Sequence, residues 1–454
     1  MEKHQLKTII STESPTLFKP LLNEFLTVGW IVSKNNSDTS AELYFPKRDG
    51  AIIELYSNGL MKSFSKINKI GDKHGEFKSY FESGRIQEKK QFREGIQHGK
   101  FSITNEAGIV TQKGEYRNGQ ENGRWIDFFY NGKKRYEGHW KSGIKNGVFQ
   151  WWYSNGSLKE NGKFKDGQKT GEWNSWYDST NKKESNHFKN GILTGQSKLW
   201  YENGNVSVKG SYQNGKKKGI WTKFYTNGKK QEEINYESGL RKYYHQNGKM
   251  IQKEFYKDDL LHGKQIQWFT SGHKKSDGSF AHGQQNGTWE TWYDNGKRKS
   301  LTTFKNGIHH GKIRSWYPDS RKKEEGNYTN GKKDGLWKRW SRTGASESEI
   351  EYQKGLRHGL FKQWFPNGQL AFEIRYENGK YHGEWSEWHE AGKRKKTLNY
   401  NHGIQNGLCN HWHENGIKKV DCFYKNGEMS GKFTEWNSSG EIINEFTYQR
   451  GVVT

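Results

Sequence analysis

Histidines recur immediately before a glycine at His98, His262, His310, His358 and His382. Imidazoles in such a series first suggest zinc ligation. If each sits in one of a row of strand turns, however, neighbouring turns lie about 10 Å apart, whereas zinc needs its ligand atoms at about 2 Å. Other copies of the slot hold Asn122, Asn146, Thr170, Asp334 or Ser430. These share a small polar group able to bond a backbone amide in a turn. The slot is therefore read as structural, with no metal assigned. Two segments, Gly210–Lys217 and Gly326–Lys333, approach a phosphate-binding loop. Both lack the Ser/Thr that would hold magnesium, and no helix follows to point amides at phosphate. Acidic residues are scattered, with no unique pair for acid–base work. Cys409 and Cys422 are too few for a disulfide framework and are read as packed thiols. Catalytic and cofactor-binding residues are accordingly assigned as none.

Basic clusters remain as the pattern that points to a partner. They are Lys133-Lys134-Arg135, Lys229-Lys230, Lys297-Arg298-Lys299, Arg321-Lys322-Lys323 and Lys393-Arg394-Lys395-Lys396. Aligned along one side of a repetitive fold, they would form a ridge attracting anionic lipid, nucleic acid or an acidic protein. Lysine at hairpin ends also keeps a sheet soluble and discourages edge pairing.

Every cluster follows a glycine or its substitute, and those positions keep time. From Gly84 the glycines recur at 108, 132, 156, 204, 228, 248, 272, 296, 344, 368, 392, 416 and 440, with Thr180 and Ser320 in the two remaining slots. The interval is 24 residues except for the 20 between Gly228 and Gly248. Such a period means stacked copies of one small unit. Eight residues after each anchor stands an aromatic, from Phe92 and Tyr116 to Tyr448. Further glycines follow eleven and fifteen residues after the anchor, with Asp259 the departure at the first of these positions. An aromatic, most often Trp, precedes the anchor by four, Thr104 being the lapse.

The unit reads as a β-hairpin. Trp221-Thr-Lys-Phe-Tyr225 favours a pleated strand and runs into Asn227-Gly228, a hairpin turn signal. The later glycine pair turns the chain into the next hairpin. Two residues before the second-strand aromatic often stands glycine (Gly114, Gly138, Gly162, Gly210, Gly278, Gly326), and other copies place Ile234, Ile350, Ile374, Leu398 or Cys422 there. That slot is expected in the core, with a neighbouring ring filling the space over glycine. Burying a few aromatics cannot offset the entropy of fixing one unit, so stability must pass from neighbour to neighbour. The short interval and Asp259 together predict a bend or a local loss of stacking over residues 239–263.

The first 49 residues differ. Leu17, Phe18, Leu21, Leu22, Phe25 and Leu26 share a helical face, and Trp30–Val32 with Leu43–Phe45 read as a hairpin. A small α+β cap over residues 1–49 is expected to shield the edge of an array over residues 50–454. Lys and Arg outnumber Asp and Glu by 75 to 50, and 15% of residues are aromatic. Rings held in register override the disorder that so charged a composition suggests. The opening residues lack an apolar signal core and no long apolar stretch occurs, which predicts a basic, cytoplasmic protein without a transmembrane segment.

The hairpin Tyr212-Gln-Asn-Gly215-Lys-Lys-Lys-Gly219-Ile-Trp221-Thr-Lys-Phe-Tyr225-Thr-Asn-Gly228-Lys resembles the MORN-repeat family, in its variant form. The resemblance covers residues 50–454 and implies an all-β, elongated, solenoid-like ribbon of tandem antiparallel hairpins. It transfers no catalytic residue. It implies a non-catalytic scaffold that binds a protein partner, with the antitoxin or immunity half of a toxin–antitoxin pair, and hence a cognate toxin, as the sharper form. The alternative is a peripheral binder of phospholipid or nucleic acid through the basic ridge.

Overall fold

In the computed structural model the described residues are 8–12, 31–37, 40–44 and 50–454, except 57 and 59. Among them every regular element is a strand. The first are β1 (Thr8–Thr12), β2 (Ile31–Ser37), β3 (Ser40–Tyr44), β4 (Gly50–Leu55) and β5 (Met61–Ile67). β2 and β3 form the expected hairpin. The helix expected over residues 17–26 lies outside the described residues. β1 was not legible in advance. It pairs antiparallel with β3 and parallel with β4, so the order is β2-β3-β1-β4-β5. The backbone edge of β4 that would begin the repeats is thereby hydrogen-bonded, as an array needs.

Contacts divide the chain into two units, residues 1–229 and 230–454. Both are built from the same hairpin, and two kinds of turn alternate within each. The wide turn carries the anchor glycine. Tyr153 N–H donates to Ser157 O and Gly156 N–H to Tyr153 O, each at 2.9 Å, with Gly156 at φ 94°. This three-residue loop closes on a left-handed residue and a bulge. The tight turn carries the next glycine. Asp166 and Gly167 both have positive φ, 49° and 78°, the two-residue geometry that matches strand twist. The third glycine of the repeat, Gly171 in this copy, has φ 68° and sits where the chain leaves the tight turn for the next strand pairing.

Both turns keep their shape where glycine is lost. Thr180 and Ser320 adopt φ 73° and 78° at wide turns, and Asp259 adopts 58° beside Asp258 at 50°. Asp tolerates the left-handed region far better than a β-branched residue.

In seven copies a deeply buried ring lies just beyond the third glycine. Phe101, Trp125, Phe149, Trp173, Trp221, Trp289 and Trp337 are 0–8% exposed. The Trp series that precedes the anchor is only half-buried. Each deep Trp meets the preceding second-strand aromatic edge-on. Tyr116–Trp125, Phe164–Trp173, Tyr212–Trp221, Phe280–Trp289 and Tyr328–Trp337 have centroids 4.8–5.1 Å apart. The glycine slot is filled as expected: a Cβ on Gly162 or Gly210 would lie 2.1 or 2.2 Å from the ring of Trp173 or Trp221. The indole N–H then donates to the next residue's carbonyl, Trp125 to Glu115 and Trp221 to Ser211 at 3.1 Å. Where Ile374 takes the slot, Trp385 Nε1 is buried without a partner. Elsewhere the slot and the deep position change together. Ser197 bonds Asn186 at 2.7 Å, Gln265 bonds Glu254 at 2.8 Å, and Cys409 packs with Leu398 and Cys422.

The short interval does not interrupt pairing in the second unit. Lys230–Asn235 pairs with Leu240–Tyr244, which pairs with Met250–Lys257. The expected loss of stacking is therefore absent from the ladder. The shortened hairpin leaves a 236–239 loop and a cavity of about 740 Å³ lined by Ile234, Tyr236, Arg241, Phe255, Tyr256 and His262 among others. Gly239 closes it: its N–H donates to Asn235 O and its carbonyl accepts from Tyr256 N–H, both at 2.9 Å.

Candidate functional site

Within each unit the wide turns form a row, and up to three side chains tie one turn to the next. Tyr153, Tyr177 and Tyr201 donate their hydroxyls to the carbonyls of Trp176, Trp200 and Phe224 at 2.7–2.9 Å. In the second unit Tyr293 and Tyr317 do the same to Trp316 and Trp340. The asparagine before the anchor acts twice. Asn155 Oδ1 accepts from Ser157 N–H in its own turn, while Nδ2 donates to Asp178 O in the next. Asn131, Asn203, Asn295 and Asn415 repeat this forward bond. Turn carbonyls excluded from the strand ladder thus find donors one repeat back.

The third tie comes from the basic clusters. Lys133 Nζ reaches Asn155 O at 2.6 Å, Lys297 reaches Asp319 O at 3.4 Å, Lys393 reaches Asn415 O at 2.8 Å, and Arg321 reaches Arg342 O at 2.8 Å. The second cation of most clusters pairs with a carboxylate, often under a ring. Lys134 pairs with Glu137 at 2.8 Å and lies over Trp152; Lys322 pairs with Glu325 at 3.3 Å and lies over Trp340. Lys230 pairs with Glu233 at 2.6 Å, and Arg298 pairs with Glu290 at 3.2 Å and lies over Trp316. The third lies against a ring or an acid: Lys299 over Tyr293, Lys323 over Tyr317, Arg135 against Asp127 at 2.9 Å. Lys395 stands 3.8 Å from Glu387, and Lys396 lies over Trp385. Lys229 shares the wide turn of Asn227, whose Oδ1 accepts its N–H at 3.0 Å. Arg394 is an exposed strand-end residue opposite Trp388. Heads along the row keep exposure, 43% for Lys134 and 57% for Arg135 and Lys322.

Electrostatics follow from these pairs. Burial opposes ionisation of Glu137 and Glu233, but hydrogen bonds and charge from Arg124 with Lys134, and from Lys230 with Lys242, outweigh it. Both carboxyls are held below their ordinary range. Burial pushes Tyr136 up to about 12, and burial with the nearby Glu254 charge pushes Tyr243 up to about 12.

The histidine slot faces a neighbour that spacing did not reveal. Its side chain meets the tight turn that follows, not the next copy of the slot itself. His98 Nδ1 accepts from Asn118 N–H at 3.3 Å and His310 Nδ1 from Asn330 N–H at 3.4 Å. His74 and Asn406 make the same contact, to Glu94 and Asn426. The slot therefore does bond a turn amide, in the next repeat. The expected separation concerned successive copies of the slot; the close pairs here, His262–His282 and His382–His402, join a slot histidine to a histidine of the following tight turn, with ring centroids 5.6 and 4.9 Å apart.

Cys409 and Cys422 are directly opposed on paired strands and each 4% exposed, which fits packed thiols. A hydrogen bond from Cys422, with His411 at 3.7 Å, draws Cys409 below the usual thiol range, and Cys422 moves up. The two phosphate-loop lookalikes run from one strand through the tight turns Asn214-Gly215 and Asn330-Gly331 into another, with no helix between.

A search among curated proteins returns no match. The crystal structures of TcdB2-TccC3-Cdc42 and of TcdB2-TccC3-TEV are similar over 93% and 92% of this chain, at 9% and 10% identity and TM-scores of 0.16 and 0.15. The match spans 27% of the length of each of those chains. The family profile described as MORN repeat variant matches residues 73–94, 145–166, 193–214, 217–238, 237–258, 285–306, 357–378 and 381–402. The 145–166 match holds one hairpin, strands Gly147–Trp152 and Leu158–Lys165 about the wide turn at Gly156. The chain belongs to the MORN-repeat variant family.

Proposed function

We propose that the chain is a non-catalytic scaffold whose hairpin array holds a protein partner, and that it serves as the antitoxin or immunity component of a toxin–antitoxin pair. One observation supports a protein over an anionic surface. The ridge cations spend donors on internal carbonyls, carboxylates and rings, while the tight-turn side carries an open aliphatic row. Ile96, Ile144 and Ile192 in the first unit, and Leu260, Ile308, Leu356 and Ile404 in the second, are 48–54% exposed. Within each unit they recur at every second repeat, alternating with polar residues such as Gln120 and Gln168. A regular apolar row suits a protein surface, and its aliphatic members offer phosphate nothing, although Lys216, Lys332 and Lys380 stand among the alternating polar positions.

Co-expression with the product of the adjacent gene tests this. The expected result is a stoichiometric complex that survives high salt. Replacing Lys393, Arg394, Lys395 and Lys396 with Ser should leave it intact, and I144K/I192K/I308K should abolish it with circular dichroism unchanged. The second reading, a peripheral binder of phospholipid or nucleic acid, draws on a net charge of +25 and the exposed cation heads. It predicts binding to anionic vesicles or polynucleotide that weakens about a thousandfold between about 50 and 200 mM salt, with the four serines flattening that slope. That outcome, without a protein complex, would replace the scaffold reading.

A further inference from the structure

One cluster in the second unit departs from the repeat in a way that turn packing does not require. Glu377, His382 and His402 each offer a ligand atom, and these atoms lie within 4.8 Å of one another. Glu377 Oε2 is 3.5 Å from His382 Nδ1 and 3.4 Å from His402 Nε2. Four ligands at about 2.0–2.1 Å around zinc stand about 3.3–3.4 Å apart. Two edges of a coordination tetrahedron are thus already in place. His402, with a side chain 60% exposed, can close the third by rotation.

Two further observations point at a ligand. At His98 and His310 the slot nitrogen accepts from the amide of the tight turn that follows. His382 Nδ1 is buried with no hydrogen-bond partner, as is Nδ1 of the slot histidine His358, but among the described residues only His382 has a carboxylate and a second imidazole gathered in front of it. His402 is oriented from behind: its Nδ1 lies 2.7 Å from Asn401 Oδ1. A carboxamide oxygen only accepts, so Nδ1 carries a proton, and in the neutral ring Nε2 is the nitrogen left with a lone pair, on the side that faces Glu377. The sister pair His262–His282 has the same ring approach but carries Lys257 where Glu377 stands, placing a cation in the carboxylate's position.

We propose that Glu377, His382 and His402 bind a zinc ion that clips the tight turn at 378–379 to the one at 402–403. Two imidazoles and one carboxylate suit zinc rather than calcium or magnesium, which prefer all-oxygen sites. Three protein ligands leave a fourth position for water. The site does not depend on which partner the array holds.

The test is calorimetric titration of zinc alone into the full chain after chelator treatment, with the visible spectrum of the cobalt(II) form as a second readout. The expected result is one ion per chain and a four-coordinate cobalt spectrum. E377Q, H382A and H402A should each weaken binding at least about tenfold, and N401A by about tenfold. H262A should change nothing. Zinc should also slow amide exchange at 378–379 and 402–403. E377Q is nearly isosteric and His402 is exposed, so these two variants decide the matter even if H382A fails to fold. No binding, or binding that E377Q and H402A leave unchanged, would overturn the proposal and mark an adventitious ion on surface histidines.

Discussion

At the scale of single residues, backbone conformation and ring contacts make distinct demands. Thr180 and Ser320 hold positive φ that costs a β-branched or ordinary residue about 1–2 kcal/mol relative to glycine. T180G is expected to stabilise its unit by about 1 kcal/mol, read as an upward shift of the urea midpoint with an unchanged slope. Gly210 makes the opposite demand. Its φ is ordinary, but a Cβ would meet the Trp221 ring at 2.2 Å. G210A should therefore destabilise by about 1–3 kcal/mol and alter tryptophan fluorescence. An unchanged midpoint would show that the ring relaxes away without cost. The opposed thiols of Cys409 and Cys422 should resist iodoacetamide in the folded chain and react on unfolding, because burial denies access whatever the ionisation state.

At the scale of the hairpin, the wide turn is held by donors reaching forward one repeat. Asn155 serves its own turn and the next, so N155A should cost about 1–2 kcal/mol, measured as faster amide exchange at turns 154–156 and 178–180 together. Loss confined to its own turn would argue that the forward bond contributes nothing. The short hairpin depends on Glu233, held between Lys230 and Lys242 at 2.6 and 2.7 Å. Its folded pKa lies below the unfolded value, so its contribution is present above the ordinary carboxylate range and is lost as pH falls through the folded pKa. Protection over residues 230–244 should therefore fall as pH drops below the ordinary carboxylate range, and E233Q should remove that pH dependence.

At the scale of the whole chain, neighbour contacts replace a central core. Residues 1–229 form a unit by contact and should fold when expressed alone, giving a β-type circular dichroism spectrum. A single-repeat peptide spanning 147–170 should not, since its deepest ring, Phe149, packs on Tyr136 and Trp140 of the preceding repeat and Phe164 of its own. A folded single peptide would refute the neighbour-dependent account of stability.

The amino-acid sequence by itself determined the repeat, the hairpin, the glycine–ring complementarity and the family, because each rests on local conformation or on a spacing kept over many copies. Positive φ at Gly156 or Gly167 and the space over Gly162 belong to residue types, and residue types are visible. Only the tertiary structure decided which copies touch. Antiparallel turns shift the side-chain contact away from the repeat period, and that offset, invisible in a spacing, brings His382 to His402 and Glu377. It likewise decided that the basic clusters tie turn to turn, since a lysine's reach to a carbonyl in the next turn depends on how consecutive hairpins stack. The strand at Thr8–Thr12 escaped notice for the same reason: a short run of β-branched and small residues becomes a strand only when β3 and β4 supply partners on both sides.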